Sequence, residues 1–291
     1  MRGRGGMAPE NIPRTTGERR FEIRIHPGRA SAAEFLREFW VYRDLLYFLT
    51  MREVSVRYKQ TALGVLWVVL QPLLAALVFA VVLGRWAHIP SSGTSYPLFV
   101  YSSMVLWNLF SQGITRAGDS IIADEKLVTK VYFPRAMIPL GAAASTWVDF
   151  AVSFALLAAA LVWMGGGAVR ALWLLPVAFV LTAVLTFGLG ALISSLNVRY
   201  RDFRYITPFL LQIGLYLSPV VYPASLVPAR WRTLYFLNPM AGLLETFRYS
   251  LFGRGEWHAG ELGISAGMCV LVFAAGLLVF RWVERGFSDY I

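Results

Sequence analysis

Residues 65–84 are twenty consecutive positions without a charge. At 1.5 Å per residue, a helix of that length crosses the roughly 30 Å hydrocarbon core of a bilayer. Similar runs follow at 97–115, at 136–164 (interrupted only by Asp149), at 171–198, at 206–222 with Pro208 and Pro219, and at 262–280. Inside a bilayer the backbone must satisfy its own hydrogen bonds, so runs this long predict helices. The expected fold is an all-α integral membrane protein with six transmembrane helices. Apolar residues make up 57% of the chain and charged residues 15%, which excludes a soluble domain of this size. The net charge of +10 does not indicate nucleic acid, because the basic residues lie mainly beside the apolar runs and only three are lysine.

Six spans put both ends of the chain on one side. The region before the first run, the segments 116–135 and 199–205, and the tail together hold 21 of the 27 Lys and Arg residues. The opposite face holds the other six, Arg85, Arg170, Arg230, Arg232, Arg248 and Arg254. The positive-inside rule therefore predicts cytoplasmic termini. Trp67, Trp86, Trp163, Trp173 and Trp282 stand near run ends, as an interfacial aromatic belt requires. Residues 1–33, rich in Gly, Pro and Arg and without an apolar h-region, read as a flexible cytosolic extension rather than a signal peptide, with residues 21–25 as a short extended piece.

Residues 34–59 carry Phe35, Phe39, Tyr42, Leu46 and Leu49 at three- or four-residue spacing, with Arg37, Asp44, Arg52, Glu53 and Arg57 mostly between them. This predicts an amphipathic helix on the membrane surface, begun by a Ser31–Glu34 capping box. Residues 60–291 form the transmembrane domain. Glycines 165–167 with Arg170 read as a tight turn. Segment 223–261 is too polar to cross; Asn238-Pro239 divides it into two short helices, expected to re-enter the outer half of the membrane before the last span.

The chain offers little chemistry of its own. No phosphate loop is present, for Lys59, Lys126 and Lys130 follow Tyr, Glu and Thr rather than glycine. His26, His88 and His258 have no metal-ligand spacing, and no nucleophile elbow occurs. No catalytic or metal residue is assigned, and an enzyme is disfavoured. Cys269, inside the last run, reads as a small apolar core residue. Segment 116–135 places Ile121, Ile122, Leu127 and Val131 on the cytosolic side, exposed unless a partner covers them. Asp149 is about thirteen residues into its run, at a depth where an ionised carboxylate costs roughly 2.5–3.5 kcal/mol. It is expected to face the interior and to pair with a neighbouring span. Gly263 and Gly267 suggest a close-packing face. Tyr101, Trp107, Tyr216 and Tyr222 have flat faces suited to sugar rings and are candidates to line a channel.

Three stretches together resemble a known family: REVSVRYKQTALGVLWVVLQPL at 52–73, DEKLVTKVYFPRAMIPL at 124–140 and LNPMAGLLETFRYSLF at 237–252. In this order, over about 34–291, they resemble the transmembrane permease subunit of type-2 ATP-binding cassette exporters of polysaccharide. The resemblance implies a homodimer joined to two cytosolic ATPase subunits. Those subunits hold ATP and Mg2+, and this chain binds no cofactor. It implies that the helix at 34–58, with Arg43, Asp44, Arg52 and Arg57, contacts the ATPase. A coupling helix within 120–133, with Asp124, Glu125, Lys126, Leu127, Lys130 and Tyr132, would dock into it. Gate helices at roughly 224–250 would involve Tyr222, Asn238, Pro239, Glu245 and Arg248. The implied cargo is a lipid-linked (undecaprenyl-type) glycan crossing the bacterial cytoplasmic membrane between two permease chains. O-antigen, teichoic-acid and capsule export all use similar permeases. A type-2 permease for a lipid or drug is the alternative, and a membrane glycosyltransferase or secondary carrier is a third reading.

Overall fold

The structure is a computed structural model and describes residues 40–59, 64–130, 133–164 and 171–287. The expected extension at 1–33, the Ser31–Glu34 cap, Phe35, Phe39, Val131, Tyr132 and the turn at 165–170 lie outside the described residues. Within them every regular element is helical. They are α1 (Arg43–Tyr58), α2 (Gly64–Phe79, continued by a π-helical turn Ala80–Trp86), α3 (Tyr96–Ala123), α4 (Glu125–Lys130), α5 (Met137–Ala144) and α6 (Thr146–Trp163). Next come α7 (Leu174–Arg199), α8 (Phe203–Leu217), α9 (Ala229–Tyr235), α10 (Pro239–Phe252) and α11 (Ala259–Glu284).

Four stretches among the described residues are long and apolar enough to cross a membrane: Leu66–Trp86, Met137–Trp163, Leu174–Arg199 and Ala259–Glu284. The other two expected spans differ for physical reasons. The run at 97–115 is part of a helix that continues to Ala123, so its last two turns include what reads in sequence as cytosolic loop. This helix, α3, lies at the centre of the bundle against α7, with 17 of its 28 residues buried. A helix wrapped by protein is relieved of lipid-facing apolar residues, and α3 accordingly carries Ser102, Ser103, Asn108, Gln112 and Arg116. The run at 206–222 is helical only to Leu217; the chain turns at Ser218–Pro219, where proline has no N–H to continue the ladder.

The core follows from small residues placed where helices meet. At the α7–α11 crossing, a Cβ on Gly276 would lie 2.0 Å from the Gly188 carbonyl oxygen, so only glycine allows this approach. Gly263 and Gly267 meet nothing within 4 Å, so the close-packing face falls two turns later than the GxxxG pattern suggests. Cys269 is buried in the main apolar cluster. Trp67, Trp86, Trp163, Trp173 and Trp282 are all exposed, as the belt reading requires.

Helix α1 packs Leu45, Leu46 and Leu49 on the cluster built around α5, where Gly141 lets Leu49 approach. A second set, Trp40, Val41, Tyr47 and Phe48, points outward at seven-residue repeats. The helix break predicted at Asn238-Pro239 is present. Pro239 opens α10, the Asn238 side chain accepts from Met240 N at 3.2 Å, and Gly253 (φ 61°) ends α10 in the left-handed conformation that favours glycine.

Candidate functional site

Two charged junctions organise the end of the bundle near α1, and α1 supplies both. Arg52, in its third turn, pairs with Asp124, the residue that closes α3 immediately before α4, and with Glu53 at 3.0 Å. Partial burial opposes the Arg52 charge, but the bonds to Asp124 and Glu53 outweigh it and raise its pKa. One helical turn later, Arg57 pairs with Asp149 and donates to Ser145 Oγ at 2.8 Å, while the Tyr58 hydroxyl also donates to Asp149. Burial first, then the bond to Asp149, pushes the Tyr58 phenol up to about 12. Arg116 of α3 completes the group, with Nη2 3.8 Å from the same carboxylate. One carboxylate thus faces two guanidiniums and a phenol.

The partner of Asp149 is therefore chiefly α1, with α3 contributing only the longer contact to Arg116. The physical reason is the hitch at Ser145 between α5 and α6. Helix α5 lies beneath α1, and Asp149 emerges one turn past the hitch beside the end of α1.

A cavity of about 390 Å³ opens from this group, between α2, α3 and α6. Its charged end holds Arg57, Tyr58, Arg116 and Asp149; the amides of Gln71, Asn108 and Gln112 follow; Trp67, Val68, Pro72 and Phe150 give apolar wall. Neither Tyr58, Arg116 nor these amides stood out in the sequence as a site. A signal was present: Asn108, Gln112 and Arg116 recur at four-residue spacing, a polar stripe on one face of an otherwise apolar helix.

The segment expected to dock on a partner is partly covered by the chain itself. Ile121 is fully buried, Leu127 is half-buried against the same inner cluster, and Val128 is buried beside it. The bundle itself therefore covers Ile121 and most of Leu127, and no partner is needed for them. Ile122, Glu125 and Lys126 are exposed. Arg43 and Asp44, 3.7 Å apart, are exposed on α1.

At the other end, α10 is sunk into the core. Arg248 is 3% exposed; it donates to Ser103 Oγ at 2.8 Å and to the Pro219 carbonyl, lies 4.3 Å above the Phe99 ring, and sits 2.5 Å from Glu245 as an ion pair. Glu245 also accepts the Ala224 backbone N–H at 2.7 Å, and Asn238 donates to Ser218 Oγ at 2.9 Å. Tyr235 donates to the Tyr222 hydroxyl at 3.2 Å, and Tyr222 to the Tyr216 carbonyl at 3.1 Å. These bonds form three separate sets around the α8–α10 connection, one holding Tyr222, one Asn238 and one the Glu245–Arg248 pair.

Of the candidate channel aromatics, Tyr101 and Trp107 are buried in the main cluster, so they line no surface of this chain. Tyr101 donates to the Ser153 carbonyl at 3.3 Å, and the Trp107 ring is 5.3 Å from Phe110. Both sit on the buried face of α3, which explains the difference. Tyr216 is exposed. Among the described residues, no group of three or more His, Cys, Asp and Glu side chains could hold a metal ion.

Comparison with known proteins agrees with this architecture. The chain is 26% identical over 251 residues to the O-antigen export system permease protein RfbA of Klebsiella pneumoniae, covering 85% of this chain and 95% of that protein. It is 28% identical over 263 residues to the protein of the same name from Myxococcus xanthus, covering 88% and 98%. Against the polysialic acid transport protein KpsM of Escherichia coli it is 22% identical over 250 residues, covering 85% and 96%. Residues 44–252, from α1 through α10, match the family described as ABC-2 type transporter, and this chain is a multi-pass membrane protein belonging to that family.

Proposed function

We propose that this chain is the permease subunit of an ATP-driven exporter that moves a lipid-linked polysaccharide across the bacterial cytoplasmic membrane. What supports the reading most is the shared cargo of its relatives: proteins named for O-antigen export, polysialic acid transport and capsule polysaccharide export match it over three quarters or more of its length. In this reading two permease chains enclose the path and two separate ATPase subunits supply the energy. The chain crosses the membrane six times with both termini inside, α3 being the span that protein rather than lipid surrounds and α8 a shorter, mostly exposed one. Helix α1 lies along the cytosolic surface, its outward stripe of Trp40, Val41, Tyr47 and Phe48 touching lipid headgroups. Helix α4 docks on the ATPase, and the Arg52–Asp124 pair transmits its movement to α1. The pair α9–α10 forms the outer gate.

The test is surface glycan in cells lacking this chain. Its loss, with intracellular accumulation of lipid-linked glycan and restoration by the wild-type chain, is expected. Undiminished surface glycan in the deletion strain would overturn the reading.

A further inference from the structure

The cavity beside Asp149 has a charge pattern that packing alone does not require. Arg57 and Arg116 against the single Asp149 leave one net positive charge at its inner end. Arg57 is engaged with Asp149 and Ser145. Arg116 is held differently. Its nearest carboxylate oxygen, at 3.8 Å, is beyond hydrogen-bonding distance, and its buried Nε has no hydrogen-bond partner among the described residues. A guanidinium is a planar fork of donors that matches phosphate oxygens, and a poorly compensated one at a cavity wall is an anion site. The rest of the lining includes the amides of Gln71, Asn108 and Gln112 and the apolar side chains of Trp67, Val68 and Pro72. Cations, amides and apolar wall in one cavity suit an amphiphile with a phosphate group.

We propose that this cavity is a phosphate subsite, with Arg116 holding the phosphate or diphosphate of a lipid and Arg57 adding the second cation. The phosphate could belong to a bilayer phospholipid or to the carrier lipid of the exported glycan. The second source rests on the export reading; the phosphate chemistry does not. A free sugar would not need two guanidiniums, and a metal cation would be repelled by them. Asp149 competes with the bound anion for Arg57, so the site is self-limiting.

The test uses the full chain with its ATPase partner in nanodiscs, titrated with farnesyl diphosphate, farnesol and short-chain phosphatidylglycerol. Farnesyl diphosphate is expected to bind and farnesol to bind much more weakly. Arg116→Gln is expected to weaken the diphosphate about tenfold or more, the range for one charge-assisted phosphate contact, with Arg116→Lys retaining most of the affinity. Asp149→Asn is expected to tighten binding, a direction that a purely structural role for Asp149 does not produce. Arg254→Gln, at the opposite end, is expected to change nothing. Phosphatidylglycerol binding with the same Arg116 dependence, and none for the diphosphate, would support the subsite with bilayer lipid as its source. Unchanged affinity for both lipids in a folded Arg116→Gln variant would overturn the proposal. If that variant does not fold, unchanged affinity in both Arg116→Lys and Asp149→Asn would do so. ATP-driven export by the wild-type complex is measured separately, so its absence would count against the export reading and not against the subsite.

Discussion

Arg248 shows what a charge needs in order to sit inside this bundle. Its guanidinium has a carboxylate, a hydroxyl, a carbonyl and an aromatic face around it, all supplied by elements that meet only at α10. Replacing it with alanine would leave Glu245 buried without its cation, a loss of about 3–5 kcal/mol in comparable buried pairs. Arg248→Ala is therefore expected to lower the thermal midpoint sharply and to reduce the yield of monodisperse protein. A midpoint equal to wild type would show that Glu245 is not dependent on this arginine. Tyr58→Phe removes one donor to Asp149 and is expected to destabilise by only about 1 kcal/mol, read in the same melt. How much of this was legible varies with the residue. That Asp149 needs a partner follows from its depth in an apolar run. The identity of that partner depends on the hitch at Ser145, which no local pattern announces. The burial of Tyr101 and Trp107 was not legible for a related reason: an aromatic side chain in an apolar run reads the same in sequence whether it faces a lumen or the core.

Among the elements, helix lengths and the break at Asn238-Pro239 were legible because they rest on charge-free length and on proline's missing N–H. The early end of α8 rests on the same property of Pro219, whereas the extent of α3 was less legible because it depends on neighbours rather than on its own residues. Arg116 and Asp119 look like loop in sequence, yet α3 continues through them, with Arg116 beside Asp149 and Asp119 3.7 Å from Arg204. Glycines of α11 differ sharply in what surrounds them. Gly276→Ala would drive a methyl into the Gly188 carbonyl and is expected to destabilise by about 1–3 kcal/mol or more, as overpacking does. Gly263→Ala and Gly267→Ala meet open space and are expected to be neutral or slightly stabilising in the same thermal assay. Equal effects at all three positions would contradict the α7–α11 crossing. Ile122 is exposed beside α4 whereas Leu127 also packs inward, so Ile122→Asp probes docking with less damage to the fold. It is expected to weaken capture of the ATPase by about tenfold or more, the consequence of placing a charge in a desolvated contact. Normal capture and normal export together would leave this face without a docking role.

At the scale of the whole molecule, α1 clasps a bundle centred on α3 and α7 through Arg52 and Arg57. The family was legible in sequence because three separated stretches kept their order. The clasp was not, since it pairs positions 72 and 92 residues apart. Topology is the first check at this scale. With Cys269 replaced, a cysteine at Ser92 or Leu234 is expected to react with an impermeant thiol reagent outside intact cells, and one at Asp124 is not. Labelling at 124 from outside would refute cytoplasmic termini. The most direct measurement is transport by the purified complex in sealed inverted membrane vesicles loaded externally with lipid-linked glycan. The account predicts that glycan enters the lumen only when ATP, the ATPase subunit and this chain are all present, and that the chain alone hydrolyses no ATP. ATP-dependent glycan transfer without this chain, or hydrolysis by the chain alone, would contradict it.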